Sequence, residues 1–310
     1  MLDALSRGFV LTLAGSRPLE RLASRCGMAP RGFARRFVAG ETVEEAIEAA
    51  RALQAKGFHL TLDQLGEGVS TLDEADAASR VYVRTAAAMV EAGIERNLSL
   101  KLSQLGLLLD PAVCTDNLRR VLMAAARDDF FVRVDMEDSS TVETTLGIVA
   151  TLWEQGFRNL GVVLQAALHR SERDLARMIE MGVRVRLVKG AYKEPKAVAH
   201  QKKADVDAAY ARMAERLLVE GTQPAIATHD AALLERAKRH AGARGIAADR
   251  FEFQMLYGVR RDLQAALVAE GFRVRLYVPF GREWFPYFMR RLGERPANVG
   301  FVLRSLIRDR

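Results

Sequence analysis

The chain has 310 residues, and its content of 49% hydrophobic and 27% charged residues is typical of a globular protein with one large domain or two small ones. Two cysteines in no motif and five histidines without metal-ligand spacing argue against a disulfide scaffold and a zinc site, so we expect no metal. The net charge of +7 is mixed with 39 acidic residues, and no basic block is interleaved with aromatic residues, so we also expect no nucleic-acid partner.

No apolar run approaches the ~20 residues that a membrane-spanning helix requires. The apolar run at residues 9–14 is too short for the core of a signal peptide, and no small-residue cleavage site follows it. We therefore expect a cytoplasmic protein. Its excess of basic residues would also suit peripheral contact with the anionic inner face of the cell membrane.

Residues 1–45 predict an N-terminal helical arm. Leu19, Leu22 and Ala23 recur at helical spacing, which is typical of helices that pack against a core. Thr42 followed three residues later by Glu45 is a capping-box pattern, and it predicts a helix from residue 43 to residue 56. The remaining residues, 46–310, are assigned to one catalytic domain.

From residue 57 the chain alternates short β-type runs with helical runs. The predicted strands are residues 59–63, 98–102, 131–135, 162–165, 183–189, 225–229, 251–254 and 274–277. About eight βα units over ~250 residues is the pattern of a (β/α)8 TIM-like barrel. An open doubly wound sheet is the alternative, but Gly66 and Gly68 lack the third glycine of a dinucleotide-binding turn, and no phosphate-binding P-loop occurs.

Nearly every predicted strand finishes on or beside a polar residue. These residues are Asp63, Lys101, Asp135, Gln165, Lys189, His229, Gln254 and Tyr277. In a barrel the carboxyl ends of the strands converge on one mouth, where the active site lies. The alternation of Ser99 and Lys101 with leucines predicts that both polar side chains face the barrel axis.

The last helical segment, residues 284–295, carries Tyr287, Arg290, Arg291 and Glu294 on one helical face. Two adjacent arginines can bind a small carboxylate bidentately, and Glu294 can hold Arg290 in place. The alternative interpretation is a solvated surface helix with an ion pair between Arg290 and Glu294.

Lys101 and Lys189 at strand ends leave a second chemistry open, that of a Schiff-base aldolase. Such a lysine needs a pKa that is lowered by burial or by a nearby cation, and Arg186 is a candidate for that cation. A third hypothesis is a barrel without catalytic activity that docks on an anionic membrane or a partner enzyme through its basic surface. No nucleophilic serine or cysteine motif is present.

Eight stretches of the chain resemble, in their order, the proline dehydrogenase family in its short bacterial monofunctional form. They are residues 99–103, 134–138, 163–165, 186–192, 227–230, 251–260, 277–281 and 287–296. The resemblance implies a distorted (β/α)8 barrel that binds FAD without a Rossmann motif, with the final helix over the barrel mouth. It covers most of the chain from about residue 37 onward.

The resemblance also implies an activity, namely the oxidation of L-proline to Δ1-pyrroline-5-carboxylate, the first step of proline catabolism to glutamate. Hydride would pass to the flavin, and the electrons would pass on to a membrane quinone. A pyrroline-5-carboxylate dehydrogenase is a candidate partner that would receive the product.

Site residues follow from the positions that match the family motifs. The residues implied to be catalytic are Asp135 and Arg186. Those implied to bind substrate are Lys101, Leu187, Tyr192, Tyr277, Tyr287, Arg290, Arg291 and Glu294. Those implied to bind FAD are Met136, Gln165, Arg186, Lys189, Gly190, Ala191, Thr228 and His229.

The chain departs from the family pattern at Ala167 and His169, where aromatic residues are usual, and this could loosen packing beside the cofactor. Phe280 stands where close relatives have a tyrosine. Tyr277 is retained, whereas hydroxyproline-preferring relatives carry a smaller residue there, so we predict proline as the substrate.

Overall fold

The computed structural model describes residues 27–28, 32–66 and 68–294, with side chains described up to Met289. The strands in this part are β1 (His59–Gln64), β2 (Asn97–Leu100), β3 (Phe131–Val134), β4 (Leu160–Gln165), β5 (Arg184–Val188), β6 (Ala225–Ala227), β7 (Glu252–Leu256) and β8 (Val274–Phe280). Each strand pairs in parallel with the next, and β8 pairs with β1, so the sheet closes. The predicted (β/α)8 barrel is confirmed.

Helices follow the strands as the alternation predicts. They are α1 (Val43–Gln54), α2 (Leu72–Glu91), α3 (Pro111–Ala126), α4 (Val142–Glu154), α5 (Ser171–Glu180), α6 (Lys203–Glu220), α7 (Ala231–Ala243), α8 (Arg261–Ala269) and α9 (Trp284–Glu294), with short 3-10 segments at Phe33–Arg36 and Leu102–Leu105. Over the portion of the chain described, none of these helices has the length and apolar character needed to cross a membrane.

Local capping chemistry explains where several helices begin. Thr42 before α1 and Thr71 before α2 each accept a hydrogen bond from a backbone N–H in the first turn. Asp110 and Asp230 do the same before α3 and α7. The predicted cap at Thr42 is therefore confirmed, and its helix ends at Gln54, two residues earlier than predicted.

The strands divide their side chains between two environments. Leu98 and Leu100 of β2 are fully buried in the apolar layer between the barrel and its helices. Ser99, which lies between them, faces inward, and its hydroxyl lies 3.0 Å from the hydroxyl of Thr61 in β1. The predicted orientation of β2 is confirmed because a strand alternates its two faces at every residue.

Four of the predicted strand ends differ from the structure by two residues or more. β2 and β6 end at Leu100 and Ala227, two residues earlier than predicted. Gln254 lies in the middle of β7 and Tyr277 in the middle of β8, because these strands run on to Leu256 and Phe280. β8 extends to Phe280 because it pairs with every residue of β1, from His59 to Gln64.

Helix α9 packs at the end of the barrel where β1 and β8 finish. Its residues Trp284 and Phe288 share a second apolar cluster with Leu65, which follows β1, and with Phe37, which follows the first 3-10 segment. The ring centroids of Phe37 and Phe288 lie 6.2 Å apart. Residues 1–26 of the predicted N-terminal arm lie outside the described residues, and the domain boundary at residue 45 stays a prediction.

Candidate active site

A buried ammonium group lies where β1, β2, β3 and β8 come together. Nζ of Lys101 is 3.3 Å from both carboxylate oxygens of Asp63 and 4.0 Å from Oδ2 of Asp135. It also lies 3.5 Å from the hydroxyl of Tyr277. Asp63 and Tyr277 lie in β1 and β8, and Lys101 and Asp135 directly follow β2 and β3, so only closure of the barrel brings the four residues together.

Asp135 is the hub of a second set of contacts. Its Oδ1 accepts a hydrogen bond from Nη1 of Arg186 at 2.7 Å, and its Oδ2 accepts one from the hydroxyl of Tyr277 at 2.7 Å. Nη2 of Arg186 donates to Ser99 at 2.9 Å. The guanidinium also stands over the Tyr277 ring, 5.3 Å from its centroid, so Arg186 is fixed on three sides.

Burial and charge set the protonation states of this network. Burial raises the pKa of Asp63, which is fully buried, and the nearby Asp135 carboxylate raises it further while Lys101 opposes both. Burial alone would lower the pKa of Lys101, but the carboxylates of Asp63 and Asp135 outweigh it and hold that pKa above its ordinary value. Burial and the same two carboxylates raise the pKa of Tyr277. Lys101 therefore stays charged and Tyr277 stays a hydrogen-bond donor at neutral pH.

The charge of Lys101 argues against the aldolase hypothesis. A Schiff-base lysine needs a lowered pKa so that its amine is free to attack a carbonyl. The pKa of Lys101 is shifted the other way, and Arg186 contacts Asp135 instead of destabilising the lysine. Lys189 lies 2.6 Å from Asp207 and 2.9 Å from Asp230, so carboxylates surround it as well.

Beside this network, the backbone of the loop after β5 lies close against the loop after β4; we call this region the backbone passage. Gly190 has a φ of 110°, a conformation that favours glycine, and a side chain there would lie 3.2 Å from Cβ of Ala167 and 3.3 Å from Oε1 of Gln165. Gln165 in turn donates to the backbone oxygen of Glu137 at 2.7 Å. The loop after β5 thus packs directly on the loop after β4.

The loop after β6 supplies two more polar groups beside this passage. Thr228 is buried, and His229 accepts the backbone N–H of Leu256 on Nε2 at 2.9 Å. In the neutral imidazole the proton therefore lies on Nδ1. Asp230, the next residue, binds Lys189 and caps α7.

Comparison with known proteins decides the family. A family model described as proline dehydrogenase matches residues 46–304. The chain belongs to the proline dehydrogenase family. It is 41% identical to a proline dehydrogenase of Deinococcus radiodurans over 99% of this chain and 100% of that protein. It is 40% identical to proline dehydrogenase 1 of Bacillus subtilis over 97% of this chain and 99% of that protein.

A solved structure supports the same assignment at the level of the fold. The crystal structure of proline utilization A from Bdellovibrio bacteriovorus, inactivated by N-propargylglycine, aligns with 84% of this chain at a TM-score of 0.79. The aligned part is 26% identical in sequence and makes up 32% of that longer chain. The barrel of this proline dehydrogenase is therefore the fold of its family, and the chain is an oxidoreductase that acts on proline.

Three of the predicted substrate residues lie at or near the network. Lys101 and Tyr277 belong to it, and Tyr192, on the loop after β5 with 46% of its surface accessible, is close enough to Lys101 to help raise the pKa of that lysine. The position of Leu187 in the structure contradicts the substrate-binding role predicted for it. It follows the inward-facing Arg186, so it faces the helices, and it is fully buried in the apolar core.

The predicted carboxylate clamp lies largely outside the described side chains. Helix α9 extends to Glu294, so Tyr287, Arg290, Arg291 and Glu294 do share one helical face in position. Of these four side chains only that of Tyr287 is described, and it is buried.

Three residues of this site have no role in the family-based prediction. Asp63 is the nearest carboxylate to Lys101, Ser99 bonds Arg186, and Leu256 shares the inward face of β7 with Glu252 and Gln254. Leu256 pairs in register with Tyr277 and is partly accessible. The sequence pattern had already placed Asp63 at the barrel mouth and Ser99 on its inner face, and strand alternation could also have found Leu256, which lies two residues after Gln254.

The departures at Ala167 and His169 have clear local environments. Ala167 fits the space beside Gly190, and its N–H donates to the backbone oxygen of Lys189 at 2.8 Å. The ring of His169 packs edge-on against His200, with centroids 4.5 Å apart. Both residues therefore pack against the loop that follows β5.

Proposed function

We propose that this chain oxidises L-proline to Δ1-pyrroline-5-carboxylate with FAD as the hydride acceptor. One observation carries the proposal: Lys101, Asp135, Arg186 and Tyr277 form a single buried network at the mouth of a proline dehydrogenase barrel. The network presents two fixed cations and a phenol, the groups that a zwitterionic amino acid and an anionic cofactor would both contact.

The residues beside the network fit a flavin. The positive φ of Gly190 and its lack of a side chain leave its backbone accessible to a flat ligand, and the small Ala167 lies next to it. Arg186, a buried cation paired with Asp135, lies four residues before Gly190 on the preceding strand. The residues that would hold FAD are Met136, Gln165, Arg186, Lys189, Gly190, Ala191, Thr228 and His229. When bound, FAD supplies the two-electron acceptor that no amino-acid side chain can provide.

Arg186 and Asp135 have complementary roles in this proposal. Asp135 accepts from Arg186 and from Tyr277, so it holds both donors in one orientation before substrate arrives. Arg186 would then place a fixed positive charge near the hydride acceptor, where it would stabilise the negative charge that the acceptor gains as proline is oxidised. Because both oxygens of Asp135 are occupied, we assign it to positioning.

The substrate would be held at both ends. Lys101, charged because of Asp63 and Asp135, would bind the proline carboxylate together with Arg290 and Arg291, and Glu294 would orient the arginines. Aromatic and apolar groups would surround the ring and fix the carbon that loses hydride. For these walls we propose Tyr192, Tyr277, Tyr287 and Leu256, with Leu256 in place of Leu187.

The visible spectrum of the purified protein tests the cofactor and the substrate together. We expect flavin absorbance that bleaches when L-proline is added without oxygen. A flavin band that ignores proline would refute the substrate, and trans-4-hydroxyproline would be tried next. Protein that stays colourless after reconstitution with FAD would refute the cofactor.

The clamp is tested by replacing its arginines one at a time. We expect Arg290→Ala and Arg291→Ala each to raise the KM for proline sharply, because the carboxylate loses a charge-assisted partner. Arg282→Ala, at an exposed arginine just before α9, is the matched control and should leave KM unchanged. Unchanged KM in both clamp variants would exclude these arginines as carboxylate ligands.

We further propose that electrons leave the flavin for a membrane quinone and that the protein is cytoplasmic, with peripheral contact at the inner membrane face. The net charge of +7 suits such contact. The imine product would then be consumed by an oxidising enzyme, for which a pyrroline-5-carboxylate dehydrogenase is the candidate. Proline-dependent reduction of a quinone in anionic vesicles, absent when neutral vesicles replace them, would support this step.

The aldolase alternative is tested with borohydride. Reduction in the presence of a carbonyl compound would trap a covalent adduct on Lys101 or Lys189 if either forms a Schiff base. We expect no adduct by mass spectrometry, because carboxylates contact both ammonium groups.

A further inference from the structure

The opposite end of the barrel, where the strands begin, contains a partly open cavity of about 190 Å³. Six arginines line this cavity: Arg96, Arg133, Arg184, Arg250, Arg273 and Arg275. Only two acidic residues join them in its lining, so the positive charges exceed the negative charges by four. The interior of a (β/α)8 barrel is usually filled with branched aliphatic side chains, so this composition is unusual. We call this region the arginine floor.

Arg275 forms ion pairs with both acidic residues of the arginine floor. Its Nε lies 2.9 Å from Glu252, and its Nη1 lies 2.8 Å from Glu95. Among the residues that the structure describes, no ion pair engages the other five arginines. Arg96 and Arg273 each donate to a backbone carbonyl oxygen instead. The floor therefore keeps an excess of positive charge, although Glu252 also attracts Arg133 and Arg184 through space and Asp129 attracts Arg184.

Arg133 is the most deeply buried of these cations. Its side chain is 3% exposed, Nη1 donates to the backbone oxygen of Arg184 at 2.6 Å, and Nε has no hydrogen-bond partner. Burial, and then the positive charge of Arg186, lower the pKa of Arg133 well below its ordinary value; Glu252 opposes this shift, and Arg275 and Arg184 add to it. A buried donor without an acceptor costs free energy unless a ligand or water supplies one.

The surrounding residues make room for these guanidinium groups. Gly161 of β4 faces Arg133, and a side chain there would come within 2.8 Å of Nη1 and 2.5 Å of the Phe131 ring. The guanidinium carbons of Arg133 and Arg184 lie 4.8 Å and 4.9 Å from the centroid of that ring. Stacking on Phe131 keeps both cations in place without neutralising them.

We propose that the arginine floor binds a small inorganic phosphate anion. Guanidinium groups bind phosphate oxygens bidentately, and the floor offers them from several strands around one space. A tetrahedral group accepts hydrogen bonds from all these directions, whereas a planar carboxylate does not. The cavity is also smaller than the ~300–1,000 Å³ of pockets for drug-sized ligands, which favours a compact anion.

The arginine floor is separate from the candidate active site, although both use the same strands. Arg133 precedes Asp135 by two residues, and Arg184 precedes Arg186 by two. Residues two apart on a strand share a face and lie roughly 6.6 Å apart along it. The floor is therefore a lower layer of the barrel interior, so phosphate binding there does not depend on the proposed redox reaction.

Calorimetric titration of the FAD-loaded protein with sodium diphosphate, at ionic strength fixed with sodium chloride, tests the proposal. We expect saturable binding and a melting temperature that rises with diphosphate concentration. Arg184→Gln and Arg250→Gln should each weaken binding at least about tenfold, because each removes a charge-assisted donor. Arg84→Gln, at an exposed arginine on α2, is the charge-matched control and should leave the affinity unchanged.

Several results would overturn the assignment. Absence of binding, or equal affinity in wild type, Arg184→Gln and Arg250→Gln, would show that the floor is not the site. Citrate binding as tightly as diphosphate would refute the phosphate preference. If Arg184→Gln fails to fold, the surface variant Arg250→Gln decides the question, since that residue is exposed.

Discussion

Replacing Lys101 with methionine would isolate a charge at the centre of the barrel. The ammonium lies 3.3 Å from both oxygens of Asp63, whose side chain has no accessible surface. Removing one partner of a buried ion pair costs roughly 3–5 kcal/mol because the other charge is left uncompensated. With an unfolding entropy of about 2.1 cal/mol/K per residue over 310 residues, the melting temperature should fall by about 5–8 °C.

The loss in Lys101→Met should depend on pH with a defined sign. The folded-state pKa of Asp63 is already raised by burial and by Asp135, and without Lys101 it rises further. A carboxyl group with a raised folded-state pKa destabilises the protein at pH values above that pKa and has no such effect below its unfolded pKa. We therefore expect the deficit relative to wild type to be smaller at pH 5 than at pH 8.

The assay is thermal unfolding followed by circular dichroism at both pH values, for Lys101→Met, Asp63→Asn and the double variant. The double variant should recover most of the loss at pH 8, since it leaves no buried charge without its partner. A deficit that is equal at the two pH values, or a double variant that is as unstable as the sum of the single variants, would refute the reasoning.

Three other predictions follow from the geometry. Tyr277→Phe removes the 2.7 Å hydrogen bond to Asp135. Because a hydrogen bond to a charged acceptor contributes about 1.5–3 kcal/mol, the variant should lower kcat/KM for L-proline roughly 10- to 100-fold in steady-state assays. An unchanged kcat/KM would contradict the role of Tyr277 in the site. Burial alone would raise the pKa of Glu252, but Arg275 lowers it from 4.5 to about 2, so their pairing stabilises the fold above pH 4.5 and this stability is lost as the pH falls towards 2. Glu252→Gln should flatten the acid-unfolding profile across that interval, and a profile as steep as that of wild type would count against the pair. Gly190→Ala forces a side chain into a backbone with φ of 110° and should weaken FAD retention about tenfold, measured as the ratio of absorbance at flavin and protein wavelengths, whereas full flavin content would refute the fit.

Much of the fold could be predicted from the sequence because the sequence patterns that specify strands and helices are local. Alternation of strand and helix patterns predicted eight βα units, and the threonine at residue 42 predicted a helix start that the structure confirms. The inward face of β2 followed from two-residue periodicity alone, which holds for any strand. The same periodicity would have excluded Leu187 from the site, since it follows the inward Arg186; its predicted role came from the family resemblance.

The charge states and groupings of the site were decided by tertiary structure. Lys101 at the end of a strand was compatible with an aldolase nucleophile until Asp63 and Asp135 were seen beside it, 38 and 34 positions away in the chain. The arginine floor likewise draws on β3, β5 and β8, and its members carry no shared motif. Backbone periodicity and caps depend on a few neighbouring residues, whereas burial and Coulomb interactions act through space, and only closure of the barrel determines which charges meet.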